Sequence, residues 1–77
     1  MDTLEVLGKH IQELRTQKGK TQKEMAQMLE MTLRNYQRIE YGQINLQALT
    51  LCFLADYFEV TTDYLLGRSE LCKTKSS

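Results

Sequence analysis

The chain has 77 residues, and its 10 basic and 10 acidic side chains give a formal net charge of zero. That length suits one domain, and the lack of proline, with 4 glycines, disfavours a many-turned β-sandwich and favours helices joined by short connections. Two cysteines are too few for a disulfide-rich secreted scaffold. The sequence carries neither a signal-peptide pattern nor an apolar run of about 20 residues, so we expect a cytoplasmic protein that does not enter membranes.

The first predicted helix has apolar residues at spacings of three and four, namely Leu4, Leu7, Ile11 and Leu14. A basic last turn followed by Gly19 predicts its end. The next four residues, from Thr21 to Glu24, read T-x-x-E, which is typical of a capping box at a helix start. We therefore predict a short second helix over about residues 22–29.

Three further helices are predicted after a three-residue turn. Thr32 is the expected N-cap of the third, which covers about residues 33–41. The fourth covers about residues 46–58, with either Asn45 or Gln47 as its N-cap, and Thr61 caps a short fifth helix that ends at Gly67. Residues 68–77 are polar and are predicted to be a frayed tail. The prediction is an all-α, five-helix bundle in one domain, residues 1–67.

The second and third helices form the informative pair. Two helices separated by three residues must cross steeply, and the small side chain of Ala26 suits the crossing point. The arrangement, about residues 22–41, is a helix-turn-helix, whose second helix can enter the major groove of DNA.

From Arg15 to Arg38 there are six basic residues and two acids, a local balance of +4 that leaves −4 for the rest of the neutral chain. Such a polarised distribution is expected of a phosphate-binding face, and the alternative is a solvated helix surface.

The order and spacing of several fragments resemble the XRE family, the lambda-repressor-like helix-turn-helix domains. The fragments are Leu7-Gly8-Lys9, Leu14-Arg15, Thr21-Gln22, Glu24-Met25-Ala26, Arg38-Ile39-Glu40, Leu54-Ala55-Asp56 and Asp63-Tyr64-Leu65-Leu66-Gly67. The resemblance covers about residues 4–67. It implies a compact bundle of five helices and a sequence-specific transcriptional regulator of bacteria or phages.

The resemblance also implies DNA-contacting positions. Gln22 matches a glutamine that contacts a backbone phosphate, and Leu33, Arg34 and Arg38 match positions that often touch bases. Arginine can pair with guanine, Asn35 with adenine, and Leu33 can contact a thymine methyl group, while Arg38 could equally bind phosphate. The predicted DNA-contacting residues are Lys20, Gln22, Lys23, Thr32, Leu33, Arg34, Asn35, Arg38 and Tyr41.

Other positions carry structural expectations from the same resemblance. Arg15 is expected to pair with Glu40 and to brace the first helix against the third. Tyr36 stands where the family usually has Ile or Val. It either packs in the core alone or also directs its hydroxyl towards the DNA backbone. Glu30 occupies a turn position that is usually a glycine with positive φ.

We predict a DNA-binding repressor that acts as a two-fold dimer on a pseudo-palindromic operator with half-sites ~34 Å apart. The predicted dimer face is Tyr64, Leu65 and Leu66, with Phe53 or Tyr57 beside it; the alternative is that these side chains belong to the core of one chain. The alternative is a protein-interaction module, such as an antitoxin or a phage regulatory partner, in which DNA binding is secondary.

Catalysis and cofactors are not expected. His10 and Cys52 lack metal-ligand spacing and are interpreted as a surface histidine and a core cysteine. The sequence contains neither a phosphate-binding glycine loop after a strand nor a recognisable nucleophile–base pattern. We predict a protein that is not an enzyme and that has no metal, cofactor or small-molecule ligand.

Overall fold

The computed structural model describes residues 2–69 and arranges them as five helices without a strand. The helices are α1 (Thr3–Gln17), α2 (Gln22–Met28), α3 (Leu33–Glu40), α4 (Ala48–Phe58) and α5 (Thr62–Leu65). The predicted all-α, five-helix bundle is confirmed. Of the predicted tail, residues 70–77 lie outside the described part of the chain, while the Arg68 backbone N–H donates to the Asp63 carbonyl at 2.8 Å.

The predicted capping box opens α2. The Glu24 N–H donates to Thr21 Oγ1 at 3.0 Å, and the Thr21 N–H donates to a Glu24 carboxylate oxygen at 2.9 Å. The bond from the Thr21 N–H holds the pKa of Glu24 below its usual value, because it stabilises the charged carboxylate. A second box, which the sequence reading did not identify, opens α1 between Asp2 and Glu5.

The predicted start of α4 was two residues early. The helix begins at Ala48, and Gln47 occupies the N-cap position without a side-chain capping bond. Asn45, the other candidate, accepts a hydrogen bond from the Leu46 N–H at 2.9 Å and so stabilises the preceding loop. The start of α4 is therefore not marked by a capping side chain.

The core lies where the apolar stripes of the helices meet. The buried residues are Leu7, Ile11, Met25, Ala26, Tyr36, Ile39, Leu54, Ala55, Phe58, Val60 and Leu65. Ala26 is 2% exposed and belongs to this core, and α2 and α3 are in contact, which agrees with a small side chain where the two helices cross. Two expectations were wrong: Cys52 is exposed on α4, and His10 is partly buried, with its ring stacked on Tyr64 at 4.5 Å between centroids.

Two glutamates adopt the left-handed backbone conformation at helix ends. Glu30 follows α2 with φ 55°, as expected for its turn position, and Glu59 caps α4 with φ 58°. Each allows the next residue to bond back to the helix, from the Met31 N–H to the Ala26 carbonyl and from the Val60 N–H to the Ala55 carbonyl. A side chain with a Cβ pays a conformational penalty in this region that glycine avoids.

We expect Glu30→Gly and Glu59→Gly each to raise the free energy of unfolding by about 0.5–1 kcal/mol. The gain is the relieved left-handed strain minus the larger backbone entropy that glycine loses on folding. Urea denaturation of each variant measures it. The matched control is Gly19→Ala, because Gly19 has φ +71° and open space around a built Cβ. That substitution tests the backbone term alone and should destabilise the protein by a similar amount, so a stabilising Gly19→Ala would contradict the argument.

No helix among residues 2–69 combines the length and the apolar character needed to cross a membrane. Over the same residues, His, Cys, Asp and Glu side chains are not grouped in a set of three that could hold a metal ion.

Candidate nucleic-acid interface

α3 presents a polar, basic face to solvent because its apolar residues point inward. Tyr36 and Ile39 are 0% and 1% exposed, respectively, whereas Arg34, Asn35 and Arg38 on the opposite side are exposed. Leu33, at the first position, is 42% exposed and is the apolar residue of this face. α3 therefore packs against the core through its apolar side, and its cationic side is free to contact a partner.

Thr32 defines where α3 begins. Its Oγ1 accepts a hydrogen bond from the Asn35 N–H at 3.1 Å, so this predicted DNA contact also serves as the N-cap. The cap keeps the first turn of α3 regular and fixes the direction of the side chains at its exposed start.

A surface groove of about 480 Å³ lies beside α3 and the residues that follow it, and is lined by Arg34, Gln37, Arg38, Tyr41 and Gln43. Three of these residues were predicted DNA contacts. Tyr41 is 61% exposed, which leaves its hydroxyl available to an oxygen acceptor. The guanidinium groups of Arg34 and Arg38 give the groove positive charge. Each carries five N–H donors, which suit phosphate oxygens or guanine edges.

Lys20 and Lys23 flank the start of α2 and are exposed. The Lys20 carbonyl accepts a hydrogen bond from Arg15 Nη1 at 2.8 Å, which ties down the backbone of the connection while the ammonium group stays in solvent. The structure thus places two predicted phosphate contacts beside the N-terminus of α2, where the helix dipole also favours an anion.

Beneath this face, Glu40 is the centre of a buried polar network. Arg15 Nε lies 2.6 Å from Glu40 Oε2, and the two side chains are 14% and 1% exposed, so the expected bridge between α1 and α3 is present. Tyr36 donates its hydroxyl to the same carboxylate, and Gln22 Nε2 donates at 3.0 Å. Three donors from three helices compensate for the loss of water around this buried charge.

The network shifts the titration of its members. The hydrogen bond to the Glu40 carboxylate raises the pKa of Arg15, and burial, followed by the same carboxylate, raises the pKa of Tyr36. Both groups therefore keep their protons at neutral pH and stay donors. The Tyr36 hydroxyl is committed to Glu40 inside the protein, which corrects the option that it emerges near the DNA backbone.

The structure gives Gln22 two protein partners that the sequence reading did not anticipate. Besides donating to Glu40, its side-chain carbonyl accepts from Gln37 Nε2 at 3.1 Å. Gln37 was not among the predicted site residues. Its place three residues before Glu40 puts it near the same helix face, but its contact with Gln22 depends on the crossing of α2 and α3, which one sequence does not specify.

The residues of the predicted dimer face differ in exposure. Leu65 is 0% exposed and belongs to the core, and its carbonyl lies 3.1 Å from His10 Nδ1. Tyr64 and Leu66 are partly buried. The more exposed apolar side chains lie on α4, where Leu49 is 83% and Phe53 is 44% exposed. Apolar surface for an assembly is thus available near α4, with Tyr64 and Leu66 contributing less.

The comparisons with known proteins agree with this geometry. A family model described as helix-turn-helix matches residues 11–65, from the middle of α1 to the end of α5. The chain is also 39% identical over 67 residues to the HTH-type transcriptional regulator ImmR of Bacillus subtilis (strain 168). The alignment covers 87% of this chain and 53% of that relative, so the chain spans about half the length of the curated relative that it matches.

Proposed function

We propose that this chain, which belongs to the helix-turn-helix family, binds double-stranded DNA sequence-specifically and regulates transcription. The observation that carries the proposal is the exposed basic face of α3, where Arg34 and Arg38 line an open groove while Tyr36 and Ile39 anchor the helix in the core. In this proposal α3 enters the major groove, where arginine can pair with guanine O6 and N7.

Phosphate contacts complete the proposed mode of binding. Lys20 and Lys23 meet the DNA backbone beside the N-terminus of α2, and the side chains of Gln22 and Tyr41 add hydrogen bonds to it. Thr32, Leu33 and Asn35 lie at the exposed start of α3, where they face base edges. The phosphate contacts set the register on the duplex, and Arg34 supplies the main sequence information.

We further propose a repressor that occupies a pseudo-palindromic operator as a two-fold dimer, with half-sites ~34 Å apart. One domain covers little DNA, so a second copy raises both affinity and specificity. The exposed Phe53 and Leu49 on α4, together with Tyr64 and Leu66, offer apolar surface for the dimer.

The test is selection of binding sites from random duplexes with the purified protein, repeated with Arg34→Ala and Lys20→Ala. Wild type should enrich a palindromic motif. Arg34→Ala should relax the preference at one base pair of each half-site, at a cost of about 1–3 kcal/mol. Lys20→Ala should weaken binding to all sequences alike and reduce the slope of log K against log salt by about 0.9.

If the wild-type protein enriched no motif at low salt, the proposal would be wrong. A loss in Lys20→Ala that differed between sequences would contradict its phosphate role. A protein-interaction module remains the competing function, and it would be favoured by an apolar face on α3. Leu33 is the apolar member of that face, and its neighbours Arg34, Asn35 and Arg38 are polar, so the geometry supports DNA as the partner of α3.

A further inference from the structure

Gln37 lies between the buried Glu40 network and the groove of the candidate interface. Its side chain lines the groove beside Arg34 and Arg38, and its Nε2 donates to Gln22 Oε1 at 3.1 Å. Gln22 Nε2 in turn donates to Glu40 Oε1 at 3.0 Å. A chain of side-chain hydrogen bonds therefore runs from a buried carboxylate, through two partly buried amides, to the protein surface.

The chemistry of Glu40 fixes the orientation of both amides. A carboxylate that already binds Arg15 accepts hydrogen bonds and donates none, so Gln22 must turn its NH₂ group towards Glu40. The carbonyl of Gln22 then points the other way and needs a donor, which Gln37 provides. These two bonds leave the second Nε2 hydrogen of Gln22 for a further acceptor.

We propose that Gln37 is a positioning residue that holds the Gln22 amide so that this second N–H is offered to a DNA phosphate. The proposal rests on the DNA-binding function proposed above. The terminal torsion of a glutamine is broad and weakly restrained, so Glu40 alone leaves the amide free to turn about one bond. Gln37 holds the opposite end of the amide, and less freedom is then lost when DNA binds.

The test is a double-mutant cycle with Gln22→Met and Gln37→Met, measured as Kd on the duplex that wild type selects. Methionine keeps the length of the side chain and removes its amide. We expect Gln22→Met to weaken binding about tenfold, Gln37→Met about fivefold, and the double variant no more than Gln22→Met alone. Because neither amide is charged, the salt dependence of Kd should keep its wild-type slope in all three variants.

The readouts separate positioning from other roles of Gln37. Binding is measured well below the midpoint of thermal unfolding of each variant, so that a loss of folded protein does not count as a loss of affinity. Gln12→Met makes the same chemical change on the exposed surface of α1 and should leave Kd unchanged. A loss for Gln37→Met that is equal on selected and random duplexes supports the proposal.

Three results would overturn it. The first is an unchanged Kd in Gln37→Met, and the second is additive losses in the double variant, which would mean that Gln37 acts independently of Gln22. The third is a loss confined to one base pair, which would make Gln37 a base contact. Failure of the DNA-binding proposal itself would appear earlier and separately, as wild-type protein that selects no duplex, and it would remove this inference as well.

Discussion

Replacing Arg15 with methionine is expected to lower the free energy of unfolding by about 3 kcal/mol, because removing one partner of a buried ion pair strands the other charge. The side chain of Glu40 is 1% exposed, and the substitution would remove the guanidinium group whose Nε lies 2.6 Å from its carboxylate. For a domain of this size the midpoint of thermal unfolding should fall by roughly 12–24 °C. Guanidinium and thermal denaturation, followed by circular dichroism, measure both quantities.

A second substitution tests whether the stranded charge is the cause. Adding Glu40→Gln to Arg15→Met removes that charge while keeping the shape of the side chain, so the double variant should be more stable than Arg15→Met alone. Arg38→Met is the matched control, because Arg38 is exposed on α3 and its loss should change stability by less than about 0.5 kcal/mol. Equal losses for Arg15→Met and Arg38→Met would show that the buried pair does not brace the fold.

Loss of the Arg15–Glu40 pair should also disturb the candidate nucleic-acid interface. Glu40 accepts from Gln22 as well as from Arg15, so one carboxylate braces α1 against α3 and orients a side chain at the start of α2. The two helices of the helix-turn-helix are thus tied to α1 through a single buried group.

Local signals explain why the helices and their order were predictable. The T-x-x-E box at Thr21, the apolar spacing of α1 and the polar outer face of α3 each involve residues within one or two helical turns. Such patterns follow from the fixed geometry of the helical backbone, which is the same in every protein. The bounds of α2 and α3 agreed to within one residue for the same reason.

Features that depend on tertiary contacts were not predictable from local patterns. Gln22 and Gln37 are 15 residues apart, and their hydrogen bond exists because α2 crosses α3 at a particular angle. The N-terminus of α4 lacks a capping side chain, so its start could not be read from a local pattern. Leu65 is apolar whether it faces a partner or the core, and here it fills the core.

Gly8 is needed for a tertiary contact that its place in the sequence does not indicate. It lies in the middle of α1, where glycine lowers helix stability by about 1 kcal/mol relative to alanine. A Cβ built on Gly8 would lie 2.5 Å from the backbone carbonyl oxygens of both Ile39 and Glu40. The glycine is therefore required by the close approach of α1 to the last turn of α3, and not by the conformation of α1.

Gly8→Ala is therefore expected to destabilise the protein by about 2 kcal/mol, even though it improves helix propensity. The added methyl group meets backbone and not a flexible side chain, so α1 and α3 must separate, and overpacking of this kind costs about 1–3 kcal/mol or more. Because the shift also moves the base of α3, affinity for DNA should fall together with stability. Urea denaturation and the duplex binding assay measure the two effects.

Glu13→Ala is the matched control on the same helix, and it should leave stability nearly unchanged. Glu13 is exposed, so alanine there gains helix propensity and meets no neighbouring backbone, and the free energy of unfolding should stay within about 0.5 kcal/mol of wild type. If Gly8→Ala also left stability unchanged, α1 and α3 could separate at no cost. The close contact at Gly8 would then not be what holds α3 in place against α1.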